Sequence, residues 1–400
     1  MARPVRIPIR LMLSRFLCVL AFIHACLAAV PCTLQATGGD DAPQLLSAMQ
    51  SCSVVTVAKG VTLSIGTRLN MTGLSNKHLS LQGTIKFTPD IPYWTGNAFF
   101  IPFQTQVTFW LLGGKNLRVD GGGTLDGSGQ IWYDTFASNS SLLRPIVLTL
   151  FQATDVVVEN INMINGPEWF NLVNEGKNIV YSNLHIDARS TSSHKISNTD
   201  GWNIYRSDNV TIQNSVINNG DDCVAFKPNA TNVLVSNLQC NGSHGISVGS
   251  LGQFPDMFDI VENVLARNVT MTNAQNGARI KAWAGQGVGA GRVKNITFQH
   301  FVESKVDNPV VIDQASPSAS ACAQFPSNVF ISDIFFNDIS GTSSGSLVAA
   351  LSCSPDGRCS DINVNDFTVK APSGTSRLTC QNVNVTGNAA SLFPPCAITG

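Results

Sequence analysis

Polar stations recur at one interval in the middle of this chain. Asp200 in Asn198-Thr-Asp200, Asp222 in Gly220-Asp-Asp222 and His244 in Gly242-Ser-His-Gly245 follow one another every 22 residues. Asp221 doubles the second station, and Arg279 and Lys281 follow in Ala278-Arg-Ile-Lys281. If the three carboxylates meet, each raises the proton affinity of the others, so one must hold its proton. A protonated acid beside an ionised base is what cleavage of a glycosidic bond requires, the acid for the leaving oxygen and the base for water. Neighbouring cations suit a sugar that itself carries a carboxylate, because Arg grips such a group with paired hydrogen bonds. A uronic acid polymer is the substrate class that fits.

Each piece alone has a plainer explanation. An Asp-Asp pair after glycine is more often a turn than an active site. A lone histidine is more often structural, and an Arg/Lys pair a solvated surface. The shared interval is what argues against coincidence. The aromatic segment from Tyr93 to Trp110, with Trp94, Phe99, Phe100, Phe103 and Phe109, suits either stacking on sugar rings or a packed cap over one end of the fold, and Trp169 and Phe170 are equally open.

The elements that must position these residues are strands. Asp155-Val-Val-Val-Glu-Asn-Ile-Asn-Met163, Asn178-Ile-Val-Tyr-Ser-Asn-Leu-His-Ile186, Asn209-Val-Thr-Ile-Gln-Asn-Ser-Val-Ile217 and Asn232-Val-Leu-Val-Ser-Asn-Leu-Gln-Cys240 alternate apolar and polar residues around a central Asn. Asp155 to Asn178 and Asn209 to Asn232 are each 23 residues apart. Shorter copies begin at Asn295, Asn328 and Asp361. Period-two alternation means strands, and a repeat of this length means a solenoid. So short a return leaves no room for a crossover helix, so the strands stack in parallel about 4.8 Å apart. The expected fold is an all-β, right-handed parallel β-helix forming one domain over residues 30–400. An antiparallel sandwich would instead show hairpin signals about every 8–12 residues. One coil between stations would bring Asp200, Asp222 and His244 onto one face, and Arg279 and Lys281 would share a strand face with Ile280 turned inward.

Arg3, Arg6, Arg10 and Arg15 precede the apolar run from Phe16 to Leu27, with Ala28 and Ala29 offering a cleavage point. Residues 1–29 read as a secretory signal, too short to span a bilayer. Its removal takes away four arginines and no acids, so the net charge goes from -1 to -5 (-1 minus 4), which disfavours nucleic acid as a partner. The expected product is secreted, extracellular, monomeric and not membrane-bound. Of 11 cysteines, Cys18 and Cys26 leave with the signal. Proximity pairs Cys32 with Cys52, Cys223 with Cys240, Cys353 with Cys359 and Cys380 with Cys396, leaving Cys322, although spacing alone does not fix connectivity. Eight N-x-S/T sites, at Asn70, Asn139, Asn209, Asn229, Asn241, Asn268, Asn295 and Asn384, fit a eukaryotic secretory route. No Cys/His spacing of the zinc type occurs, so no metal and no cofactor is expected.

The segments Asn198-Thr-Asp200, Gly220-Asp-Asp222, Gly242-Ser-His-Gly245 and Arg279-Ile-Lys281 resemble, in order, the four signatures of the glycoside hydrolase family 28 polygalacturonases. Asn219-Gly-Asp-Asp-Cys-Val-Ala-Phe-Lys-Pro-Asn229, with Gly220 where endo-acting members usually carry Gln, looks most like fungal exo-acting members. The resemblance implies exo-hydrolysis of α-1,4-galacturonosyl linkages in polygalacturonate, with inversion. It implies Asp221 as general acid, Asp200 and Asp222 as activators of water, and His244 as a support for the acid or the substrate. Arg279 and Lys281 would bind the galacturonate carboxylate, Asn198 would position the site, and Cys223 with Cys240 matches a bridge the family uses. The chain departs from the family at Ala315 and Ser316, where members commonly place a tyrosine, and at Asn203, where relatives often have an acid. Other functions compatible with the residues are an endopolygalacturonase, a rhamnogalacturonan or xylogalacturonan hydrolase of the same fold, a calcium-dependent pectate lyase, and a non-catalytic carbohydrate-binding β-helix.

Overall fold

The computed structural model describes residues 32–316 and 319–398; the expected signal at residues 1–29 lies outside them. Among the described residues twenty-six strands join one sheet, and the pairings between successive coils are parallel. This is the stacked winding that the alternation predicts. Chain-end burial is completed by the helix Ala42–Ser51, which turns Leu45, Ala48 and Met49 inward. Among the described residues no helix is long and apolar enough to cross a membrane.

The strands that carry the site are β1 (Asn171–Asn174), β2 (Trp202–Tyr205), β3 (Val224–Phe226), β4 (Ile246–Leu251), β5 (Asn276–Trp283) and β6 (Asn308–Ser316). They stack in that order. Ile204, Phe226, Val248, Ile280 and Ile312 fall in one register and are fully buried, so the interior is a column of apolar side chains. Burying each contributes about 1.5–3 kcal/mol before entropy is counted. The polar residues between them are thereby forced to the outer surface.

Corners are turned by asparagines with positive φ, such as Asn178, Asn209, Asn232, Asn263 and Asn295. Asn and Asp tolerate this region better than other side chains. Their amides also bond from coil to coil: Asn178 donates to Asp155 at 2.8 Å, Asn209 to Asn178 at 2.8 Å, Asn263 to Asn232 at 3.0 Å and Asn295 to Asn263 at 2.8 Å. The recurring Asn and Asp seen in the sequence are the rungs of this ladder.

The coil length is not constant. From Trp202 to Val224 to Ile246 each coil takes 22 residues, but Ile246 to Ala278 takes 32 (278 minus 246) and Val310 to Ala349 takes 39 (349 minus 310). The 32-residue coil inserts a loop after β4 that carries Gln253 and Phe254. A separate three-stranded sheet, Phe99–Ile101, Gln106–Thr108 and Pro145–Ile146, holds the turn that bears Phe103 and Gln104. Most of the aromatic segment proves to be packing. Trp94 and Phe109 are fully buried, Phe109 stacks on Phe87 at 4.3 Å, and Phe100 points to solvent. All four expected cysteine pairs form bridges, and Cys322 is free.

Candidate active site

The 22-residue interval works as expected. Asp200 precedes β2, Asp222 precedes β3 and His244 precedes β4 at matching places in successive coils. Oxygens of Asp200, Asp221 and Asp222 all lie within 4.8 Å of one another. Successive strand residues face opposite ways, so Asp221 and Asp222 share the cleft only because the chain bends at residues 220–222 before β3 begins. The bend is held from inside. The Asn219 side-chain amide donates to the carbonyls of Thr199, Asp221 and Asp222 at 2.9, 2.9 and 3.0 Å, and the Asp222 amide donates to Asp221 Oδ1 at 2.8 Å. Gly201 sits where the coils touch, and a Cβ there would come 2.5 Å from the Cys223 carbonyl. The Cys223–Cys240 bridge fixes the residue next to Asp222.

The three carboxylates differ in environment. Burial, with the charge of Asp221 behind it, pushes Asp200 well above the ordinary carboxylate range. Asp200 therefore keeps its proton. Burial also acts on Asp221, but the hydrogen bond and charge of His244 outweigh it and hold Asp221 below its usual value. His244 Nδ1 lies 3.1 Å from Asp221 Oδ1, and this contact raises the histidine's proton affinity. Asp222 accepts from Ser247 Oγ at 2.7 Å and from Arg279 Nη2 at 3.2 Å. Asp221 is the most open of the three: its side chain is 18% exposed, against 5% for Asp222, and Asp200 is buried.

Asn198 donates to Asp221 Oδ2 at 3.2 Å and is itself anchored by Arg144, whose Nη2 donates to Asn198 Oδ1 at 2.8 Å. Arg144 is buried and also bonds the carbonyls of Pro167 and Ser197. Arg279 pairs with Ser247 in the register between β4 and β5, which puts Arg279 and Lys281 on the outer face beside the carboxylates. Arg279 spends one amino group on Asp222, and its buried Nε has no partner among the described residues. Burial and the adjacent Arg279 lower the proton affinity of Lys281.

Asn198, Asp200, Asp221, Asp222, Arg279 and Lys281 line a cleft of about 380 Å³, whereas His244 reaches it through Asp221, and several residues that the sequence did not single out join the lining: Gln104, Gln106, Glu168, Lys227, Gln253 and Phe254. Trp169, left open by the sequence, also lines it. Phe103 stacks on Tyr205 at 3.9 Å, and Gln104 Nε2 donates to Gln253 at 3.1 Å, so the turn at residues 102–105 and the loop after β4 meet at the cleft wall. Glu168 is pushed up to about 7 by burial, against the opposing charge of Arg144. Lys227 had a readable signal, since it lies one residue beyond β3 in the same row as Lys281. The wall residues have none, because they come from segments outside the repeat.

A proton-holding carboxyl and an ionised one in an open cleft, flanked by cations on the outer face of a parallel β-helix, define a carboxylate-type glycoside hydrolase. The family described as Glycosyl hydrolases family 28 matches residues 49–391, and the chain belongs to it. Among its relatives, the exopolygalacturonase of Cochliobolus carbonum is 47% identical over 371 residues, covering 88% of this chain and 83% of the relative. Exopolygalacturonase X-1 of Emericella nidulans is 43% identical over 365 residues, 87% of this chain and 84% of the relative. Among solved structures, the endo-xylogalacturonan hydrolase of Aspergillus tubingensis superposes with a TM-score of 0.84 at 33% identity, covering 93% of this chain and all of that one.

Proposed function

We propose that the chain is an exo-acting polygalacturonase that removes galacturonate from the end of polygalacturonate by general acid and base catalysis. Residues 30–400 are its catalytic domain, working outside the cell as a monomer. The observation that carries the reading is the joint presence of a divided set of carboxylates and a group of cations in one cleft. The first supplies acid and base, and the second selects a substrate with its own carboxylates. Two curated relatives above 40% identity, both named exopolygalacturonase, support the substrate and the exo mode.

In this mechanism Asp221, the most open carboxyl, faces the leaving oxygen. It is ionised in the free site, so its proton must arrive from a neighbour, and His244 Nδ1 at 3.1 Å is placed to give it. Asp222, oriented by Ser247 and Arg279, activates the attacking water; Asp200, which the family resemblance gives a share in that task, holds its proton and so donates a hydrogen bond beside it. Asn198, tied to Arg144, keeps Asp221 in place. Arg279 and Lys281 bind a uronate carboxylate. The carboxylate oxygens stand closer than the roughly 6.5–9.5 Å between carboxyl groups that ordinarily leaves room for an inverting water, so inversion rests on the family resemblance.

The product time course on polygalacturonate tests the reading. Exo action releases monomer from the first minutes while viscosity falls slowly. A rapid loss of viscosity with mixed oligomers would make the enzyme endo-acting. A product absorbing in the ultraviolet and lost on chelation would instead make it a calcium-dependent lyase.

A further inference from the structure

One cation in the cleft is unaccounted for by the catalytic scheme. Lys227 is only 7% exposed, yet its ammonium has no hydrogen-bond or ion-pair partner among the described residues. A nearly buried charge is costly unless an opposite charge or strong acceptors face it. Asp200 and Asp221 feel its field, but it does not come within ion-pair distance of them. Instead it lies over the ring of Trp169, 5.6 Å from the centroid, and both side chains line the cleft.

The register shows where this charge stands. Phe226, Val248 and Ile280 are aligned across β3, β4 and β5, so the residues that follow them, Lys227, Gly249 and Lys281, form one outward row. Lys227 and Lys281 are thus two strand spacings apart, about 10 Å. Gly249 between them has no side chain to fill the gap, and a Cβ there would come 2.2 Å from the Lys281 carbonyl. Lys227 shares its coil with Asp221 and Asp222, whereas Arg279 and Lys281 stand two coils further on. Beyond Lys227 the lining is made by Trp169, Glu168, Gln104 and Gln106. The cleft therefore has cations at two places, and the carboxylates answer to both: Asp222 pairs with Arg279 at 3.2 Å, while Asp200 and Asp221 feel the charge of Lys227.

We propose that Lys227, resting on Trp169, is a second uronate-binding station that recognises the free carboxylate of the terminal galacturonate being released, while Arg279 and Lys281 hold a neighbouring unit across the cut bond. The inference rests on the galacturonate substrate proposed above and adds the part of the site that reads the chain end. It makes the enzyme selective for ends that are not esterified, since a methyl ester removes the negative charge that pairs with Lys227.

The test compares two trigalacturonates, one fully ionised and one methyl-esterified only on the ring that is released, with the wild type, Lys227→Gln and Lys227→Arg. A charge-assisted contact makes a difference of about 10- to 100-fold, so the wild type prefers the free acid by that factor in kcat/KM. Lys227→Gln loses that factor on the free acid, chiefly through KM, and the gap between the two substrates closes, whereas Lys227→Arg keeps the preference. Equal wild-type rates on the two substrates overturn the proposal, and this comparison stands even if a variant fails to fold. A Lys227→Gln enzyme slowed equally on both, with a displaced pH profile, also overturns it, because Lys227 would then act only by tuning Asp200 and Asp221. A wild type inert on both trigalacturonates sinks the galacturonate reading itself.

Discussion

At the scale of single residues, the site is organised by differences in proton affinity between groups of the same type. Asp200 is raised by burial and Asp221 is lowered by His244, although both carboxylates belong to one cluster. Asp221→Asn keeps an acceptor for the Asp222 amide, so the melting temperature should stay within a few degrees of wild type while kcat falls about 10³-fold or more. Appreciable turnover by that variant would remove Asp221 from the acid's role. His244 has its proton affinity raised by Asp221, so it is charged below a pKa lying above its ordinary 6.5 and loses the proton as pH rises through that value. Activity should decline along the same limb. His244→Asn should lower kcat by about 10²-fold and abolish that alkaline limb in a pH profile of kcat/KM; a variant retaining the wild-type limb would show that another group supplies the proton.

At the scale of elements, repetition places the chemistry and irregularity shapes the cleft around it. Two coils of equal length set Asp200, Asp222 and His244 in line, and the longer coil that follows them delivers Gln253 and Phe254 to the wall. The asparagine ladder keeps the coils in register at their corners. Asn263 both donates to Asn232 and accepts from Asn295, with φ of 58°. Asn263→Ala removes two hydrogen bonds of about 0.5–1.5 kcal/mol each and puts an unsuited residue in the left-handed region. A loss of about 2 kcal/mol is expected in denaturant unfolding, with activity per folded molecule retained. A negligible loss would mean that the ladder follows from the coil rather than holding it.

At the scale of the whole molecule, the interior is a continuous apolar column with few polar intrusions. Glu303 is one, fully enclosed, with both carboxyl oxygens unpartnered among the described residues, and burial raises its pKa well above 4.5. It is neutral in the folded state at pH values where the unfolded chain has already lost the proton. Its contribution is therefore fully present below about 4.5 and is lost as pH rises toward the folded-state value. Glu303→Gln removes this linkage. Its stability, compared with wild type, should improve steadily from pH 4.5 to 8 in thermal melts, and parallel curves for the two proteins would show that Glu303 ionises without penalty. The residue packs on Gly277, next to Asn276, whose amide bonds the His244 carbonyl at 2.8 Å, so the same acid lies behind the catalytic face.

The sequence by itself determined the parallel winding, the place of Asp200, Asp222 and His244 on one face and the outward pair Arg279 and Lys281, and it suggested the four bridges that the structure makes. All of these follow from local period or short separation, because stacking at a fixed coil length converts chain distance directly into spatial position. Tertiary structure decided what the period does not contain. Gln104 meets Gln253 across 149 residues, and Arg144 reaches Asn198 across 54, through segments that interrupt the repeat. Proton placement was likewise settled in three dimensions: three aspartates read alike in the chain, but burial and the charge of Asp221 raise Asp200, and Asp221 has an imidazole against it.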